Sequence, residues 1–246
     1  MDEGDFTKAR SILFPRNVLA GHGVLGQTPD VCRDFGLSGT ALIVTGSKTK
    51  NVAADIVTNR MMDAGYEVQM ATVGEATQEN LDRVEQIARE CGTNFFLGVG
   101  GGSKIDLAKM AAKNLGQEWI SIPTSASHDG IASGRASIKN ENGPLSLDAK
   151  VPLGVVADTA IIVQAPYRLL AAGCADVISN STAVKDWEYA KRLRGEEFSR
   201  SAYSLALYTA ETIIDNADLI KPNLEESVWV AIRPIIISGV SMAVAG

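Results

Sequence analysis

The chain has 246 residues, 46% of them apolar and only 6% aromatic. That suits one large α/β domain, or two domains of ordinary size, better than an aromatic-rich β-sandwich. A net charge of −6, from 29 acidic and 23 basic residues, argues against a nucleic-acid partner.

Met1-Asp2-Glu3-Gly4-Asp5 does not open a signal peptide. Asn17 to Ala20 is a short apolar run ahead of Gly21-His22-Gly23-Val24-Leu25-Gly26. Thr40 to Gly46 is a continuous apolar run closed by turn residues, as a buried parallel strand would be. A helix follows with Val52, Ala53, Ile56, Val57 and Met61 on one face. Glu67 to Val73 reads as a second strand, and Leu81, Val84, Ile87 and Cys91 mark a second amphipathic helix. Phe95 to Val99 is the third strand, Gly100 to Ser103 a glycine turn, and Lys104 to Leu115 a helix with Ile105, Ala108 and Ala112 inward. Trp119 to Pro123 is the fourth strand. Strands alternating with helices imply βαβ units and a parallel sheet.

The rhythm then changes. Arg135 to Lys139 alternates like an exposed strand, and Glu141-Asn142-Gly143 is a hairpin signal. Strands are expected at Leu153 to Ala157 and Ala160 to Gln164. From Pro166 on, Tyr167 to Leu193, Glu197 to Leu219 and Leu224 to Val244 all read as helices. The expected fold is α/β: a Rossmann-like parallel-sheet domain over residues 1–165, then a helical domain over 166–246 that is incomplete here. The apolar stretch from Ile235 to Gly246 is too short to span a bilayer and reads as a core helix, so no stable membrane insertion is expected. Its end, Ala243-Val244-Ala245-Gly246, carries no polar cover, and the expectation is a chain cut inside its domain. Cys32, Cys91 and Cys174 are widely spaced and form no C-x-x-C pair, which points to free thiols and a cytoplasmic setting.

Two glycine motifs compete for a phosphate. Gly21 to Gly26 has the G-x-G-x-x-G spacing but a weak preceding strand. No acid follows about 20 residues on, where Thr45-Gly46-Ser47-Lys48 stand, so it reads as a plain turn. Gly98-Val99-Gly100-Gly101-Gly102-Ser103-Lys104-Ile105-Asp106 lies between an apolar strand and an amphipathic helix. Glycines there let backbone approach a pyrophosphate, and the amides and dipole at the helix start hold the charge. Lys48 and Lys50, with no acid beside them to repel a 2′-phosphate, predict use of both NAD and NADP.

Gly100 to Lys109 resembles the pyrophosphate motif of the superfamily of glycerol dehydrogenases, iron-dependent alcohol dehydrogenases and dehydroquinate synthases. Ile122-Pro123-Thr124-Ser125-Ala126-Ser127-His128-Asp129-Gly130-Ile131-Ala132-Ser133 resembles more specifically the sn-glycerol-1-phosphate dehydrogenases, and the likeness continues through Gly173-Cys174-Ala175-Asp176-Val177-Ile178. The resemblance implies an NAD(P)-dependent, zinc-assisted and reversible reduction of dihydroxyacetone phosphate to sn-glycerol-1-phosphate, for archaeal-type phospholipid synthesis. It places cofactor contacts at Gly102, Ser103, Lys104, Ile105 and Asp106, and at Thr124, Ser125, Ala126, Ser127 and Ser133. Asp129 matches a substrate-contacting aspartate, and Asp176 one that holds both zinc and substrate. The family's histidine ligands have no counterpart, since residues 177–246 contain no histidine; the isolated chain is therefore expected to be inactive and to bind zinc weakly.

Other readings stay open. Asp176 also suits a helix cap, and Asp106 a capping arrangement with Ser103. His128 suits a loop role near cofactor or substrate, and His22 an ordinary loop. A related polyol or sugar-phosphate dehydrogenase, or a nucleotide-binding protein without catalysis, is the alternative function. A homo-oligomer is neither required nor excluded.

Overall fold

Thr40–Thr45 and Phe95–Gly100 carry apolar or small side chains on both faces, which suits strands with helices above and below. They lie inside the main sheet of the computed structural model, which describes residues 12–141 and 143–245. The N-terminal Met1 to Asp5, Asn142 of the hairpin signal and the final Gly246 lie outside the described residues.

In chain order the elements are β1 (Asn17–Gly21), α1 (Thr28–Asp34), β2 (Thr40–Thr45), α2 (Ser47–Thr49), α3 (Asp55–Asp63), β3 (Glu67–Thr72), α4 (Gln78–Glu90), β4 (Phe95–Gly100), α5 (Gly102–Asn114) and β5 (Glu118–Pro123). Then come β6 (Arg135–Asn140), β7 (Gly143–Asp148), β8 (Gly154–Asp158), α6 (Thr159–Ile162), α7 (Tyr167–Arg194), α8 (Arg200–Asp215) and α9 (Glu225–Ala245). The main sheet has the order β1-β8-β5-β4-β2-β3, with every pairing parallel. β6 and β7 form a separate antiparallel hairpin.

Side-chain alternation sorts the core into two layers. Leu42, Val44, Phe96 and Trp119 pack with α4 and α5, while Ala41, Ile43, Phe95 and Leu97 pack with α1 and α3. Burying each of Phe95, Phe96 and Trp119 contributes about 2–3 kcal/mol. A third cluster joins Val155 and Ala157 of β8, and Ala126, Ile131 and Ala132 of the segment after β5, to Leu170, Val177, Ile213, Ile232 and Ile235 of the helices. This packing fixes the segment that carries the candidate site.

Three local expectations are corrected. Ala160 to Gln164 is not a strand: the Asp158 carboxylate accepts the Ala160 amide at 3.0 Å and starts α6 at Thr159. In the first helical region Val52 and Ile56 are exposed, and the buried face is Ala53, Ala54, Val57 and Met61. A π-helical turn at Lys50–Ala54 rotates that face away from a simple 3.6-residue register. The helix drawn over Glu197 to Leu219 is shorter: Ser199 Oγ accepts the Ala202 amide at 3.2 Å to open α8, and Ala217–Leu219 is a separate 3₁₀ turn. Asn17 to Ala20, a weak signal on its own, forms β1 because β8 supplies a partner.

By length and composition α9 is apolar enough to cross a membrane, with a mean hydropathy of 1.8, but half of that window is buried in the protein. Val228, Ala231, Ile232, Ile235 and Ile236 lie in the third cluster, as the core-helix expectation required. All three cysteines are free, and burial pushes the Cys32 thiol up to about 12 and Cys174 to about 11, which makes both poor nucleophiles.

Candidate functional site

The connection β2→β3 leaves β2 on one side, and β4 returns to the other, so the winding direction reverses between β2 and β4. Ligands of doubly wound sheets bind at the carboxyl ends of strands flanking such a reversal. Here those ends carry Gly46 after β2 and Gly101 after β4, and Thr49 Oγ accepts the Gly46 amide at 2.9 Å to shape the first turn.

Gly101 is the extended N-cap of α5 and makes no side-chain cap. The first bond closing that end runs from the Lys104 amide to the Gly101 carbonyl at 2.9 Å, which leaves the earlier Gly102 and Ser103 amides at the helix mouth. The capping arrangement with Ser103, the other reading of Asp106, does not form. Asp106 instead turns inward, accepting the Ser137 amide at 3.2 Å and lying 3.5 Å from Lys109 Nζ. The Ile105 side chain is fully buried in the core. Lys104 leans over the β2 turn, its Nζ donating to the Gly74 carbonyl at 2.7 Å, and burial lowers its pKa. Of the first motif's side chains, Asp106, Ile105 and Lys104 are thus all committed to protein, and backbone is what the turn offers.

The second motif runs alongside. The Thr124 amide donates to the Gly100 carbonyl at 3.0 Å, and the Ser125 and Ser127 hydroxyls are 3.5 Å apart. Thr124, Ser125, Ala126 and Ser133 are all buried. A cleft of about 420 Å³ opens here, lined by Gly101, Thr124, Ser125, Lys48, Thr49 and, from the far wall, Pro166, Arg168 and Leu169. Among the described residues no acidic side chain lines it. Lys50, the other cation expected to face a 2′-phosphate, is held by Asp55 at 2.8 Å. The glycine turn, where a side chain would fill the space, and the neutral-to-basic cleft together fit a dinucleotide.

Next to the cleft, the Asp129 amide donates to Asp176 Oδ2 at 2.9 Å. Asp176 sits inside α7, so it is not a cap. Asp129 Oδ2 accepts the Ser238 hydroxyl at 2.8 Å, and Asn180 Nδ2 donates to the same Ser238 Oγ at 2.8 Å. Burial, then the neighbouring Asp176 charge, raise the Asp129 pKa. The His128 ring is wedged between two glycines: a Cβ on Gly102 or on Gly130 would overlap it. Likewise a Cβ on Gly173 of α7 would overlap the Ala126 carbonyl, and one on Gly239 of α9 the Asp129 carbonyl.

Asp129, Asp176 and the glycine turn are therefore brought to one corner. Ser238, Asn180 and Gly239 complete that corner and carried no motif of their own; Lys109 and Gly173 complete it from within the quoted motifs, which gave them no role. Among the described residues no three His, Cys, Asp or Glu side chains converge. Catalytic zinc takes about three protein ligands, so Asp176 with Asp129 does not by itself fit a zinc ion.

Residues 19–166 match the family described as iron-containing alcohol dehydrogenase, and the chain belongs to that family. Its relatives narrow the class. It is 50% identical over 233 residues to the glycerol-1-phosphate dehydrogenase (NAD(P)+) of Methanococcoides burtonii, covering 95% of this chain and 65% of that protein. It is 49% identical over 238 residues to the enzyme of the same name from Methanosarcina barkeri, covering 97% and 67%. Among solved structures, glycerol dehydrogenase from Schizosaccharomyces pombe superposes with a TM-score of 0.83 at 23% identity, covering 98% of this chain and 64% of that one. The chain thus spans about two thirds of the length of the curated relatives it matches.

Proposed function

We propose that this chain carries the nucleotide-binding part and one wall of the substrate site of an NAD(P)-dependent glycerol-1-phosphate dehydrogenase. The reaction is the reversible reduction of dihydroxyacetone phosphate to sn-glycerol-1-phosphate, the glycerophosphate of archaeal-type phospholipids. The observation that carries this reading is the bare glycine turn at the start of α5, opening on the cleft at the sheet's reversal point.

In this reading the Gly102 and Ser103 amides hold the diphosphate, Thr124 and Ser125 line its path, and Ser127 and Ser133 stand nearby. Bound NAD(P)H supplies the hydride that reduces the ketone carbon. Asp129, held by Ser238 and by its own neighbours, orients a substrate hydroxyl. Asp176 fixes the Asp129 backbone and offers one carboxylate toward a zinc ion whose other ligands the described residues do not contain. Residues 12–165 and 166–245 then act as two lobes about the cleft.

Titration of the purified chain with NADH and NADPH, read by nicotinamide fluorescence, tests the nucleotide half. Gly102→Ala forces the His128 ring to move and is expected to weaken both nucleotides about tenfold or more, roughly 1.4 kcal/mol. Nucleotide binding that ignores this substitution would remove the turn from the site. Loss of reduced nicotinamide on adding dihydroxyacetone phosphate to active protein tests the substrate. Turnover of a different ketone, with this one inert, would instead establish a related polyol or sugar-phosphate dehydrogenase.

A further inference from the structure

Lys109 is fully buried, yet the chemistry above does not use it. A lysine in such a place loses its hydration and must be matched by buried acceptors. Its Nζ donates to the Gly130 carbonyl at 2.7 Å and to the Arg135 carbonyl, and stands 3.5 Å from Asp106. Both carbonyls belong to the segment that carries Asp129. The same segment meets α5 a second time where His128 packs on Gly102 at the first residue of the helix. Helix α5 therefore grips the Asp129 segment at its mouth and again two turns along.

We propose that Lys109 is a positioning residue that ties segment 128–135 to the cofactor helix, so that nucleotide bound at the glycine turn orders Asp129 for substrate. This rests on the nucleotide reading above and adds the route by which one site reaches the other. The lysine is suited to the task because one ammonium group satisfies two backbone carbonyls five residues apart in that segment. Its charge is balanced by Asp106, which also accepts the Ser137 amide and so secures the start of β6.

Amide hydrogen exchange of the purified chain, with and without saturating NADH, tests the tie. In the unaltered protein NADH slows exchange across 128–135 about fivefold or more, the lower end for coupled sites. In Lys109→Met, NADH binds with a dissociation constant within about twofold of the original, but protection of 128–135 no longer depends on it. Lys109→Gln, one atom shorter and still a donor, restores part of the dependence, which a purely space-filling lysine would not predict. If Met proves too disruptive to fold, the Gln variant carries the test through its reduced protection. Unchanged nucleotide-dependent protection in a folded variant would overturn the tie while leaving the nucleotide site standing. Failure of the unaltered chain to bind either nucleotide would overturn both.

Discussion

Two glycines to which the sequence assigned no role decide where Asp129 stands. The backbones of α7 and α9 come so close to the 126–133 segment that a Cβ at Gly173 or Gly239 would meet a carbonyl oxygen. Backbone cannot swing aside as a side-chain tip can, so Gly173→Ala and Gly239→Ala are each expected to cost about 1–3 kcal/mol in denaturant unfolding. Ser238→Ala removes the hydroxyl that serves the Asp129 carboxylate and receives Asn180; a loss of about 1–3 kcal/mol is expected in the same measurement. Stability within error of the parent would mean that neither bond matters. Asp129 and Asp176, which the structure places side by side, stood out in the sequence because they sit in motifs resembling a family. Ser238 and Gly239 were not: they lie over a hundred residues from Asp129, and nothing in an apolar helix marks which small residue faces a carboxylate.

Elements were more legible than their ends. Periodicity located β2, β4, α4, α5 and α7 well, because each buries a continuous face. It failed at Ala160 to Gln164, where β-branched residues favour a strand but Asp158 caps a helix instead, and at Val52 and Ile56, where a π turn shifts the buried face. Domain-scale charge pairs were equally hidden. His22, exposed after β1, bonds Glu225 at the start of α9 at 3.0 Å. The Glu225 hydrogen bond and charge raise the His22 pKa; bonds from Thr159 and then His22 lower that of Glu225. The raised histidine stabilises the fold below its ordinary value of 6.5, an effect lost as pH rises through the folded value. The lowered glutamate stabilises it above its ordinary 4.5, an effect lost as pH falls through the folded value. The melting temperatures of His22→Ala and the parent should therefore differ most at about pH 5–6 and converge by about pH 8. A constant difference across that range would remove the ion pair as its cause.

At the scale of the whole molecule, the parallel sheet was foreseen but its strand order was not, since order depends on crossovers that composition does not record. That order matters for the cofactor. It sets the β2 turn beside the β4 turn, and with the start of α7 these line one cleft, so Lys48 and Arg168 both border it while Lys50 is taken by Asp55. The chain is expected to bind both NADH and NADPH. Lys48→Ala should weaken NADPH by about 1 kcal/mol, roughly fivefold, and NADH much less, as fluorescence titration would read. Equal losses for both nucleotides would mean that Lys48 does not sense the 2′-phosphate.

The strand order also imposes a schedule on biosynthesis. Among the described residues β1 pairs with β8 alone, and roughly 140 residues separate the two. At about 5–20 residues per second of translation, the first strand waits on the order of ten seconds after leaving the ribosome before its partner exists. Throughout that wait its backbone edge is open to chaperones or to a neighbouring nascent chain, while β2 to β5 already have partners to assemble with.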